Sequence, residues 1–192
     1  MNRILKLLAA AVLVAAVAES GHPTHPVEAA DAPKKSPQPS PFASVTQRIG
    51  VNDVTVVYHR PGVKGRKVWG ELVPYDQVWR AGANEATTIS FSEDVTVEGR
   101  SLPAGTYSFF AIPGKQEWSL VFNKEAKQWG AFTYKEAQDA LRVKVTPKAA
   151  PAEEWLSYRF RDLTLNSAIV VLAWEKLEIP FVLRNRVEVK AK

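Results

Sequence analysis

Apolar residues in this chain recur at every second position, segment after segment, and no stretch carries a helical period for more than a turn or two. Leu141, Val143 and Val145 fall on one side of a strand, with Arg142, Lys144 and Thr146 on the other. A period of two buries one face and wets the other, which is the signature of a sheet packed on a core. Residues 94–98 (DVTVE) alternate in the same way. So do Leu156, Tyr158 and Phe160, and then Leu177, Ile179, Phe181 and Leu183, where Pro180 hints at an edge strand. Residues 168–174 (AIVVLAW) are apolar on both faces and predict a central strand. Ser44 to Ile49 and Val54 to His59, parted by Gly50 and Asn52-Asp53, predict a hairpin. Residues 86–92, 106–112 and 118–123 add β-branched and aromatic strands, and Pro147 to Pro151 predicts a loop. Only Asn123 to Trp129 and Tyr134 to Ala140 lean towards helix. The expected fold is therefore all-β: nine or ten short strands in an antiparallel β-sandwich or a jelly-roll-like barrel, with one or two short helical turns. Alternation names the buried face of a strand but not its neighbour, so both architectures stay open.

Composition narrows the chemistry. The 192 residues contain no cysteine, which excludes disulfides, thiol catalysis, thiolate-bound zinc and a lipid-bearing cysteine. Residues 1–18 place Arg3 and Lys6 before the apolar run Leu7 to Val17 and end on Ala16-Val17-Ala18, the order of a signal peptide cleaved after Ala18. The expected protein is thus exported, periplasmic or secreted, with no membrane span after cleavage. Residues 19–41 carry prolines 23, 26, 33, 37, 39 and 41, a disordered linker composition. A β-sandwich domain over 42–183 and a charged tail over 184–192 complete the expected organisation. His22 and His25 have no cysteine companion and match no metal-binding motif, so neither a metal site nor a cofactor is expected. The formal charge of +5 falls to +3 without Arg3 and Lys6, a balance that calls for no nucleic-acid partner.

Residues 60–88 break the alternation. Arg60, Lys64, Arg66, Lys67 and Arg80 stand against Glu71, Asp76 and Glu85, with Trp69, Tyr75 and Trp79 between them and Gly62, Gly65, Gly70 and Gly82 for flexibility. This composition predicts a long loop across one end of the core. Guanidinium forks suit carboxylate or phosphate, and aromatic faces suit sugar rings. Arg60, Arg66, Trp69, Tyr75, Trp79, Arg80, Asn84 and Glu85 are therefore the candidate ligand-binding residues, for a small anionic or carbohydrate-like ligand. The competing expectation is structural: Trp69, Val78 and Trp79 plug the core, and the arginines lie over the indoles in pairs with Glu71 or Glu85. Glu85 is the candidate catalytic group of an extracellular hydrolase, a mechanism that needs Glu71 or Asp76 as a second carboxylate. Gly62-Val63-Lys64-Gly65 imitates nucleic-acid and phosphate loops but lacks their flanking helices. His59 has neither a nucleophile elbow nor a zinc motif for company and reads as a strand-end side chain.

The run from Arg60 to Arg66, with Trp69-Gly70, residues 72–75 (LVPY), residues 78–80 (VWR) and residues 82–87 (GANEAT), resembles the exported bacterial proteins called domain of unknown function 2911. The resemblance continues through residues 102–108 (LPAGTYS) and 112–114 (IPG) to Trp118, Asn123 and Trp129-Gly130, and covers residues 42 to 183. It implies an exported, mostly β domain and carries no activity with it. Members of that family often have serine or another small residue where this chain has His59, so the resemblance implies no shared catalytic role there. Export and composition together favour a non-catalytic binding module. The alternatives are a structural envelope-associated protein and the Glu85 hydrolase.

Overall fold

The computed structural model describes residues 37–186. The expected signal peptide, residues 19–36 of the expected linker and the tail beyond residue 186 lie outside the described residues. Ten strands follow one another: β1 (Phe42–Ile49), β2 (Asn52–His59), β3 (Thr88–Phe91), β4 (Val95–Val97), β5 (Arg100–Leu102), β6 (Gly105–Ile112), β7 (Trp118–Asn123), β8 (Asp139–Val145), β9 (Lys148–Arg161) and β10 (Ser167–Asn185). They form a six-stranded sheet in the order β1-β2-β3-β6-β7-β8 and a four-stranded sheet in the order β5-β4-β10-β9. Every strand pair is antiparallel, and the sheets pack together without closing into a barrel, so the architecture is a sandwich.

The alternation seen in the sequence generates this core directly. In β2, Val54, Val56 and Tyr58 point inward, and in β8 Leu141, Val143 and Val145 do the same. They meet Leu156 and Tyr158 of β9 and Val170, Leu172, Phe181 and Leu183 of β10. Phe109 and Phe181 stack at 5.6 Å, and Tyr58 meets Tyr158 edge-on at 4.7 Å. Each such buried aromatic contributes about 2–3 kcal/mol by removal from water. On the far side of the larger sheet, Phe110 and Val121 are buried with Ala86 beneath Val78, Ala131 and Tyr134. Two loops therefore cover that face.

Several local expectations change in the folded chain. Residues 168–174 and 177–183 are halves of one strand, β10, broken by a bulge at Glu175, whose φ is 56°. Pro180 is not at an edge: β10 leaves β9 after Glu178 and joins β4 from Leu183, and the proline sits in that hand-over, where no ladder donor is needed. Pro151 lies within β9, not in a loop, which an edge strand tolerates. Of the two expected helical turns, residues 136–138 form a single 3-10 turn and residues 123–129 form none. β10 also continues through Arg184 and Asn185, past the expected boundary at 183.

Asn52, expected as a turn residue, is fully buried at the start of β2. Its Oδ1 accepts from the Ser92 and Glu93 backbone N–H groups and from Ser92 Oγ, while Nδ2 donates to Glu93 O and Asn185 Oδ1. Asn185 Nδ2 in turn donates to Ile49 O at 2.6 Å. The network ties β1, β2 and the end of β10 together with every amide group partnered.

Candidate functional site

The segment from Arg60 to Thr87 joins β2 to β3 and crosses between the sheets. It begins along the free side of β9, where Val63 N donates to Glu154 O and Leu156 N donates to Pro61 O. A methyl group at Gly62 would lie 3.0 Å from Glu154 Oε1 and 3.2 Å from the Trp155 ring, so any larger residue would push these side chains aside. Lys64 and Gly65 then turn the chain with φ of 50° and 69°. The segment returns along β6, where Trp79 exchanges both backbone hydrogen bonds with Ala111. It ends in a tight knot: Ala81 and Asn84 take φ of 51° and 57°, and Ala81 O accepts from Thr87 Oγ1 and Tyr158 Oη. Burial of the Tyr158 phenol raises its pKa well above the ordinary range, so that hydroxyl stays a donor.

The eight candidate residues divide here. Trp69 and Trp79 face inward and join Trp118 and Trp174, each of which is 1% exposed. Trp69 meets Trp118 at 4.9 Å and Trp174 at 5.7 Å, and Trp79 stacks on Trp174 at 5.9 Å. These two indoles plug the core, as the structural expectation has it. Tyr75 packs over Gly70, where a Cβ would lie 2.8 Å from its ring. Val78 goes to the opposite face, onto Phe110 and Val121.

The arginines do not pair with Glu71 or Glu85. Arg60 Nε donates to Leu156 O at 2.8 Å, while Arg66 donates to Val63 O and Gly62 O at 3.1 and 2.6 Å. Glu71 holds Lys67 at 2.9 Å, and Glu85 meets His59 Nδ1 at 3.2 Å. The group in contact with Glu85 is thus an imidazole, whereas glycoside hydrolysis uses a second carboxylate. His59, expected as a plain strand-end side chain, is instead the partner of the candidate acid. Asn84 Nδ2 donates to Gln38 Oε1 at 2.8 Å.

Arg80 stands apart. It is half-buried, its Nε is shielded from solvent without a hydrogen-bond partner, and no carboxylate meets its guanidinium among the described residues. Desolvation lowers its pKa below the usual guanidinium value, with no acid to offset it, yet arginine stays charged at neutral pH. A charge withdrawn from water without a counter-charge is costly and binds anions readily.

Beside Arg80 lies a loop that sequence reasoning passed over. Gly130 N donates to Asn84 O, and Ala86 N donates to Gln128 O, which locks residues 128–130 against the 84–86 knot. A methyl group at Gly130 would lie 3.5 Å from Arg80 Nη1 and 2.9 Å from the Phe132 ring. Below, Asn123 Oδ1 accepts from Gln128 Nε2, and Asp139 accepts from Tyr134 Oη and Arg142 Nε. Burial and the Asp139 hydrogen bond raise the Tyr134 pKa to about 12, so the phenol holds its proton in any ordinary buffer. The available signal was Trp129 and Phe132 in a polar segment without alternation.

Among the described residues no group of three or more histidines and carboxylates is placed to hold a metal ion. An open groove of about 320 Å³ lies elsewhere, bordered by Glu98, Glu117, Lys144, Lys148 and Pro180. Its Lys144–Glu117 pair closes at 2.6 Å, so these opposite charges satisfy each other.

The proteins described as Protein of unknown function (DUF2911) match this chain over residues 40–183. The chain belongs to the DUF2911 family. Comparison with curated proteins and with solved structures finds no match. In this DUF2911 domain the segment expected to hold the whole site splits into an inward tryptophan plug and an outward polar knot at Arg80.

Proposed function

We propose that this DUF2911 protein is exported and acts as a non-catalytic binding module for an anionic or carbohydrate-like ligand, seated at Arg80 beside Asn84 and Glu85. The single observation that supports binding is the half-buried Arg80 guanidinium without a counter-charge. Arg60 and Arg66 donate to backbone carbonyls, and their role is to brace the segment. Trp69 and Trp79 form the rigid floor from which the knot rises. Export rests on the basic, apolar and small-residue order of residues 1–18.

The test compares the wild type with Arg80→Gln by thermal unfolding in sodium phosphate, sulfate and acetate, with sodium chloride matched for ionic strength. A ligand that binds only the native state raises Tm. The expected result is an anion-dependent rise in the wild type that Arg80→Gln abolishes. Equal responses in the two proteins, or none in either, sink the reading. The packed tryptophan plug favours a second reading, a structural envelope-associated domain, and the absence of any anion response would select it.

A further inference from the structure

Trp129 and Phe132 stand out in the aromatic inventory along with Phe42, which is 64% exposed but meets the His59 ring edge-on at 5.6 Å. Of the six tryptophans in the chain, four form the inward quartet and Trp155 lies under Lys64 Nζ at 5.7 Å. Trp129 is 60% exposed and Phe132 is 82% exposed, three residues apart on one short loop. That loop is held rigidly: its backbone is bonded to residues 84 and 86, and buried Gln128 donates to Asn123 Oδ1 and Glu125 O. The base of the loop is fastened by Tyr134, Asp139 and Arg142. Exposed aromatics on a fixed backbone lose little freedom when something covers them, which favours binding.

The neighbourhood indicates what covers them. Phe132 and Arg80 Nη1 both lie against Gly130, whose φ of 65° and missing side chain let them approach. An apolar plane therefore borders an uncompensated cation. A pyranose ring offers an apolar C–H face to an aromatic plane, and a uronic acid adds a carboxylate at the ring's edge for a guanidinium fork. A bare inorganic anion would use the arginine and leave both aromatics in water. A neutral glycan would use the aromatics and leave the cation unpaired.

We propose that Trp129 and Phe132 form a sugar-stacking platform beside Arg80, and that the ligand class is an acidic, uronate-bearing glycan. The proposal rests on the anion-binding reading of Arg80 and adds to it a loop and a substrate class. The backbone bonds between residues 84–86 and 128–130 hold the two loops together.

The experiment is calorimetric titration of the full folded chain with oligogalacturonate and oligomannuronate. Fully methyl-esterified oligogalacturonate and inorganic phosphate are the controls, and circular dichroism checks that each variant is folded. At least one acidic oligosaccharide is expected to bind about tenfold tighter than the ester, equivalent to about 1.4 kcal/mol. Trp129→Ala and Phe132→Ala are each expected to weaken it by about tenfold while leaving phosphate binding unchanged. Arg80→Gln is expected to erase the preference for acid over ester. If neither acidic oligosaccharide binds, the proposal is overturned. If anions bind through Arg80 but the aromatic variants match the wild type, the platform falls and the anion reading stands. If no anion binds at all, both fall. Sedimentation of the same variants covers the remaining occupant: loss of a wild-type dimer in Trp129→Ala would make the patch a contact between copies and overturn the proposal.

Discussion

The two ends of strand β2 treat polar groups in opposite ways. At Asn52 a buried amide has all its hydrogen-bonding capacity matched, by Ser92, Glu93 and Asn185, and the last of these is itself anchored on Ile49 O. At His59 the chain leaves the sheet for the crossing segment, and there Trp69 Nε1 and Arg80 Nε are buried with no partner. An unmatched buried donor forfeits about 1–3 kcal/mol of solvation, so the second end lowers the stability of the fold where the first raises it. Polar groups that are fully matched specify which strands meet. Unmatched groups are a cost that natural proteins retain mostly at functional sites.

The tryptophan floor gives the largest expected effect. Trp118→Ala removes a fully buried indole that contacts both Trp69 and Trp79 and should cost about 3–5 kcal/mol in denaturant unfolding. A loss below about 1 kcal/mol would mean that the crossing segment is not held from beneath. Next comes Asn52→Ala, which strands the buried Asn185 Oδ1 and the Glu93 N–H group, while Ser92 N keeps its bond to Asp53 O. It should lower stability by about 2–3 kcal/mol by the same measurement. Arg80→Met should run the other way. With no partner lost and a desolvation cost relieved, stability should stay level or rise by up to about 1 kcal/mol. A fall of more than about 2 kcal/mol would give Arg80 a structural task and dissolve the contrast between the two ends.

The smallest effect belongs to Tyr134. Its folded pKa of about 12 exceeds the ordinary phenol value of about 10, so between those values the unfolded chain has released a proton that the native state keeps. Stability from this group is full below about pH 10 and is lost as pH rises towards 12. Tyr134→Phe should flatten that part of an alkaline stability profile. An unchanged slope would show that the loop base is not held through the phenol.

Much of the sandwich was legible because alternation is a local consequence of sheet geometry. The Leu141–Val145 pattern and the β1–β2 hairpin could be read without knowing any neighbour. Pro180 and Pro151 misled for the converse reason: whether a missing N–H matters depends on which strand lies beside it, and that is a property of the assembled sheet. The candidate site was legible only in part. Residues 60–88 stood out by composition, yet inward tryptophans and outward arginines share one composition, and only packing separates them. His59 and Glu85 are far apart in sequence and meet across the knot. Trp129 and Phe132 lie in a segment that carries no period at all.

Local chemistry by itself determined that this chain makes sheet, which side chains face inward and where the pattern is interrupted, because each follows from the two-residue pitch of a strand and from turn residues. Tertiary structure alone decided sandwich over barrel and the direction of each tryptophan. It also decided that Arg80 was left half-buried with its Nε unpartnered. Those outcomes depend on distances between segments remote in the chain, and a side chain's identity carries no record of what will be folded against it.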